Sequence, residues 1–187
     1  FTSGTRVLMN RNVDAAVIEN DSGVILGQGL AYDRCQVGVV TNIDDADHLG
    51  DFDINETERM FNVFRTQVDV VLPTGAAVLN ARDPRVVEMA ELSDGAVIFF
   101  GIDPALPAIT AHLQQDGRAV FVRDGGIVLA QGAHEERLAD VAAIPLTHGG
   151  RVAFQVENVL AAVGAAWALD IPVELIRAGI ETFDIDQ

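Results

Sequence analysis

Val13 to Ile18 (VDAAVI) and Val37 to Ile43 (VGVVTNI) are short apolar runs rich in β-branched residues, each ending at polar positions. Continuous apolar runs of this length predict strands buried on both faces, as in parallel sheets. In open α/β sheets the ligand crevice lies beyond the carboxyl ends of the strands, so Glu19, Thr41 and Asn42 are well placed for chemistry. From Asn55 to Val71 the period changes: Met60, Phe61, Phe64, Val68 and Val71 recur at helical spacing, with Asn55 as N-cap. This helix leads into a strand over Ala76 to Leu79.

The same alternation continues. Asp83-Pro84 opens a helix through Leu92, because Asp suits the cap and Pro the first turn. Ala96 to Gly101 (AVIFFG) is a further buried strand, and Ala105 to Gln114 is helical despite Pro107. RAVFVRDGGIVLAQG then places two strands around Asp124-Gly125-Gly126, a β-hairpin pattern. Pro145 to Gly150 is loop. Phe154 to Leu169 is an Ala-rich helix whose small residues permit close packing, and a last helix runs from Pro172 through Phe183. Strands alternating with helices predict an α/β fold, a mainly parallel sheet flanked by helices, with an added β-hairpin on one side.

Composition narrows the partners. A chain of 187 residues suits one sizeable core. Although 49% of residues are hydrophobic, no run approaches the roughly 18 apolar residues of a membrane span, so no membrane partner is expected. The net charge of -16 would repel nucleic-acid phosphates, so no nucleic acid is expected, whereas nucleotide bound through a metal stays open. All twelve basic residues are arginine. The single Cys35 cannot form an internal disulfide and reads as a structural thiol, with the cytoplasm as the default compartment. The start at Phe1, with no signal-peptide pattern beside it, reads as a cut or truncation.

Taken singly, Glu19 reads as a solvated strand-end carboxylate or a metal ligand, and His48 as a helix-capping or surface histidine or a ligand. Their order along the chain adds more. VDAAVIEN, then GQGLAYDRCQVGVVTNIDDADHLG, AVLNARDP at Ala77 to Pro84, and GRVAFQVENVLAA at Gly150 to Ala162 follow one another. This series resembles the central, ATP-binding domain of the Mur ligase superfamily over nearly the whole chain. Within that superfamily, VLMNRNVDAAVIE, GLAYDRCQVGVVTNI, GRAVFVRDGGIVLAQG and LTHGGRVAFQVENVLAA are similar to the C-terminal ligase region of cyanophycin synthetases. The resemblance implies ATP and Mg2+ as cofactors, and ATP-dependent joining of arginine to aspartate side chains of a poly-aspartate (cyanophycin) backbone. It implies Glu19 and His48 as magnesium ligands, with Asn42 beside them. It places Asn80 and Asp83 toward the ribose and base, and Asn158 against adenine. Asn80 also reads as a strand-end turn residue, Asp83 as a helix cap and Asn158 as an exposed helix polar group. Asp44, Asp45 and Asp47 crowd the same turn as His48, where solvated loop carboxylates are the plainer reading of the first two.

The chain also departs from the family. The family's Gly-rich phosphate loop ends in Lys-Thr, and no lysine follows Gly4, Gly23, Gly27 or Gly29. Where the family places a functional lysine, this chain has Phe64-Arg65; Arg65 is the candidate catalytic residue there, keeping a charge but not open to carbamylation as a lysine is. The expectation for residues 1–187 is thus a partial central domain lacking its first strand and phosphate loop, inactive in isolation, with exposed apolar sheet surface and self-association. The alternative is a noncatalytic interaction domain.

Overall fold

The computed structural model describes residues 2–43, 52, 54 and 56–183. Helices α1 (Thr2–Leu8) and α2 (Ser22–Gln28) precede strand β1 (Cys35–Val40), then come α3 (Thr57–Phe64), α4 (Thr66–Asp69) and β2 (Val71–Asn80). Next follow α5 (Pro84–Glu88), β3 (Ala96–Gly101), α6 (Pro107–Gln114), and the strands β4 (Arg118–Arg123), β5 (Gly126–Gln131) and β6 (His134–Asp140). The helices α7 (Ala153–Ala168) and α8 (Val173–Thr182) close the order. The six strands form one sheet in sequence order. β1 to β4 run parallel, β5 runs antiparallel to β4, and β6 antiparallel to β5.

The burial pattern explains why these strands read as unbroken apolar runs. On one face Ala77, Leu79, Phe99 and Phe121 pack with Met60, Val86, Met89 and Ile109 of α3, α5, α6 and the 3-10 turn after α5. On the other face Val78, Ile98, Phe100 and Val120 pack with Val156, Leu160 and Val163 of α7 and with Ile176 of α8. Successive strand residues point to opposite faces, so covering both faces requires apolar residues at every position. α7 lies close on the sheet: a Cβ at Gly164 would sit 2.8 Å from Val78 Cγ1.

Several expectations are corrected. Residues 13–18 form no strand; they are mostly exposed, and Val17 is fully so. A strand needs a ladder partner, and among the described residues neither edge of the sheet pairs with this stretch. The helix expected over Asn55 to Val71 is divided at Arg65 and ends at Asp69, and Val71 already belongs to β2, where a β-branched residue suits extended backbone. Asn55 itself lies outside the described residues. β2 starts before the expected Ala76 because its first part spans a register shift opposite Cys35 and Val37, which accommodates Pro73. The hairpin is extended by β6, whose exposed His134 to Arg137 hid the strand in the sequence. Those charges suit an edge strand, and Arg123 pairs with Glu135 and Arg137 with Asp140. α2 was obscured by its glycines; Asp21 caps it, accepting from Val24 N at 2.7 Å.

Candidate functional site

A cleft of about 570 Å³ opens beyond the carboxyl end of β1. The segment before α2 contributes Glu19 and Asn20, the end of β1 contributes Thr41 and Asn42, α4 contributes Gln67, and α7 contributes Asn158. Three residues singled out by the sequence, Glu19, Asn42 and Asn158, thus converge from separate parts of the chain on one space. Its lining includes the acidic Glu19 and Asp21 and, among the described residues, no basic side chain.

Glu19 is exposed, and its carboxylate accepts no hydrogen bond from the described residues. Thr41 Oγ1 donates to Asn42 Oδ1 at 3.0 Å. Asn158 Nδ2 donates to Gln155 Oε1 at 3.2 Å, which leaves its carbonyl oxygen and one N–H for a ligand. Asn158 also lines a second cavity of about 280 Å³ between α7 and α8, otherwise walled by apolar groups such as Ile144, Val159 and Ile180.

The other candidates sit elsewhere. Arg65 faces Asp69 through two contacts, Nε to Oδ2 at 3.0 Å and NH2 to Oδ1 at 3.3 Å, and does not line the cleft; its neighbours Phe64 and Gln67 do. Asn80 is buried at the end of β2, donating to Thr41 O at 2.8 Å and accepting from Arg82 N at 2.9 Å. Asp83 caps α5 by accepting from Arg85 N at 3.0 Å, and its other oxygen accepts from Ile43 N at 3.4 Å. His48, with Asp44, Asp45 and Asp47, lies outside the described residues.

The sequence reading missed a support behind Glu19. Asn20 Nδ2 donates to Tyr32 Oη at 2.9 Å and lies 3.4 Å from Gln67 Oε1, tying the Glu19 segment to α4. Burial pushes the Tyr32 hydroxyl pKa up, and the Asn20 bond partly offsets this. Such a carboxamide pair, 47 residues apart in sequence, has no local signature.

A hard divalent cation can be tested against this donor set. Magnesium takes oxygen ligands, commonly one or two carboxylates with water and substrate phosphate completing the shell. Glu19, Thr41 and Asn42 all offer oxygen at an open cleft, and among the described residues no group of three His, Cys, Asp or Glu side chains forms a closed cage. The donors fit that mode.

Residues 4–166 match the family described as the Mur ligase middle domain. The chain belongs to this family. It is 40% identical over 181 residues to a cyanophycin synthetase of Synechocystis sp., covering 97% of this chain and 21% of that protein. A cyanophycin synthetase of Crocosphaera subtropica is 40% identical over 183 residues, 98% of this chain and 21% of the relative. A UDP-N-acetylmuramate–L-alanine ligase of Xylella fastidiosa is 31% identical over 147 residues, 79% of this chain and 28% of the relative. The chain therefore spans about a fifth of the cyanophycin synthetases it matches. In fold it is similar to MurF from Acinetobacter baumannii, with a TM-score of 0.51 at 23% identity over 80% of this chain and 29% of the other. For this Mur ligase middle domain, the mostly parallel sheet expected from sequence is the sheet observed, and the expected hairpin is its antiparallel margin. Among the described residues no helix is long and apolar enough to cross a membrane.

Proposed function

We propose that this middle domain carries the nucleotide and metal side of an ATP-dependent amide ligase of the cyanophycin synthetase type, joining arginine to aspartate side chains of a poly-aspartate backbone. The observation that carries this reading is the convergence of Glu19, Asn42 and Asn158 on one cleft at the carboxyl end of a parallel strand. The substrate class rests on 40% identity to cyanophycin synthetases over nearly all of this chain.

In that reaction an aspartate side-chain carboxylate attacks the γ-phosphorus of ATP, giving an acyl phosphate and ADP. An amine of arginine then attacks the acyl carbon, and phosphate leaves as the amide forms. Bound at the cleft, Mg2+ would neutralise the phosphate charge that gathers in the transition state. The cleft's own charge makes a cation necessary: Glu19 and Asp21 would repel a triphosphate that arrived without one. Glu19 supplies the carboxylate and Asn42 and Thr41 neutral oxygens, with His48 as the further ligand that the resemblance adds. Asn158 offers a donor and an acceptor to the base at the mouth of the apolar cavity. Asn80 and Asp83, which the resemblance places toward the ribose and base, do not line the cleft, and their described contacts are to the main chain and Arg85.

Arg65 is proposed as the catalytic-position residue only if it leaves Asp69. The pair is more than a third exposed, and such i,i+4 pairs are worth only about 0.3–0.5 kcal/mol, so release costs little. A noncatalytic interaction domain is the second reading, favoured by the absence of lysine and by the Arg65–Asp69 pair.

The partner set otherwise follows the charge. A net charge of -16 favours arginine and an arginine-bearing polymer over nucleic acid or an anionic membrane, and a lone reduced cysteine suits the cytoplasm. The exposed apolar side chains of Met9 and Val17 support self-association of the isolated 187 residues. The test is ATP turnover dependent on both arginine and the poly-aspartate polymer in the full natural protein containing these residues. Turnover is expected there, lost in Glu19→Ala, and absent from the isolated chain. Turnover unaffected by Glu19→Ala, or independent of arginine, would contradict the proposal.

A further inference from the structure

We infer that Asn80, Asp83 and Arg85 are positioning residues that clamp the main chain on both sides of Asn42 and so set its side chain at the cleft. The inference rests on the nucleotide and metal reading of that cleft.

The ladder between β1 and β2 ends with Val40 opposite Leu79. One residue further on, the Asn80 carboxamide takes its place, with Nδ2 donating to Thr41 O at 2.8 Å. The orientation of that carboxamide is fixed, because its oxygen must face the Arg82 N–H at 2.9 Å. On the other side of Asn42, Ile43 is held at both polar atoms. Its N–H donates to Asp83 Oδ2 at 3.4 Å, and its carbonyl accepts from Arg85 NH2 at 3.2 Å. Arg85 Nε also lies 3.5 Å from Asp83 Oδ1, which joins the two holding side chains.

The peptide groups preceding and following Asn42 are thus held by Asn80 and Asp83, and these two planes define its φ and ψ, while Arg85 orients Asp83 and holds the Ile43 carbonyl just beyond them. Asn80 is 4% exposed and ties one carboxamide atom to each side, so its described contacts serve the main chain. Asp83 likewise spends one oxygen on the α5 cap and the other on Ile43. The spacing has a reason: Asn80 must end β2, Asp83 must cap α5, and Arg85 must lie in the first turn to reach back to Ile43. Arg85 had no role in the sequence reading, and its contact across 42 residues supplies one.

The test uses the full natural protein containing these residues, with Arg85→Met, Arg85→Lys and Glu19→Ala. Amide exchange is followed in the peptide covering residues 41–43, and Mg2+ is titrated for half-maximal binding of a nonhydrolysable ATP analogue. In Arg85→Met, exchange at 41–43 is expected to accelerate about tenfold while β3 and β4 stay protected, as for loss of one charge-assisted hydrogen bond. The Mg2+ requirement should rise several-fold, with metal-free nucleotide affinity unchanged, and Arg85→Lys should restore part of both. Unchanged exchange at 41–43 in folded Arg85→Met overturns the clamp. If Arg85→Met does not fold, Arg85→Lys takes its place, and exchange at 41–43 like that of the unmodified protein overturns the clamp. If exchange accelerates but neither Arg85→Met nor Glu19→Ala alters the Mg2+ requirement, the clamp stands and the metal reading of the cleft fails. A shift in Glu19→Ala alone overturns the positioning role and leaves that reading intact.

Discussion

The middle of the sheet and its β1 flank are built to different demands. In β2, β3 and β4, side chains such as Leu79, Phe100 and Phe121 are fully buried because helices cover both faces. At the β1 flank the segment leading to Glu19 is exposed, Val17 completely so, and polar side chains tie that segment and the end of β1 to their neighbours. Stability is concentrated where there is no chemistry. The cleft is held by a few hydrogen bonds, each worth about 0.5–1.5 kcal/mol, so it can keep free oxygens for ligands.

The largest effect that would sharpen this contrast is Phe100→Ala. Removing a fully buried ring is expected to cost about 3–5 kcal/mol in denaturant unfolding, whereas Val17→Ala should stay within about 0.5 kcal/mol. Similar losses at the two positions would break the comparison. Next is Gly164→Ala, whose new methyl would press on Val78 from α7. Overpacking of about 1–3 kcal/mol is expected in the same unfolding measurement, and a neutral result would show that α7 can move off the sheet.

These contrasts track what the sequence made legible. The sheet could be read because burial on both faces leaves a strong local mark, as in AVIFFG and RAVFVR. Residues 13–18 carry the same mark without forming a strand, since apolar character shows a wish for burial and not the presence of a pairing partner. β6 failed in the opposite way: as an edge strand it needs charge, and HEER resembles a loop. At the cleft, Glu19, Asn42 and Asn158 were picked out by motif order, and Asn42 also by a strand end, whereas the strand expected to end at Glu19 does not form. The roles of Asn20, Gln67 and Arg85 depend on contacts across 12 to 47 residues, which no local pattern encodes.

A smaller effect is expected at the boundary between the two regions. Asp83→Ala removes the α5 cap and should cost about 1 kcal/mol in the unfolding midpoint, in the usual range for caps. No loss would mean that α5 is held by Val86 packing alone. The smallest effect concerns Cys35 at the start of β1. Burial raises its thiol pKa, so at pH 8 less of it is thiolate than in the unfolded chain. Alkylation by iodoacetamide should therefore be several-fold slower in the folded protein and should quicken as pH rises; equal rates would place Cys35 in an open environment.

The most direct test of the central claim is calorimetric titration of a nonhydrolysable ATP analogue into the full natural protein, with and without Mg2+, beside its Glu19→Ala variant. Binding should strengthen with Mg2+ in the unmodified protein, and Glu19→Ala should remove most of that gain while metal-free affinity rises slightly, because the repelling carboxylate is gone. Equal Mg2+ dependence in the two proteins would contradict the assignment of Glu19 and its cleft as the nucleotide and metal site.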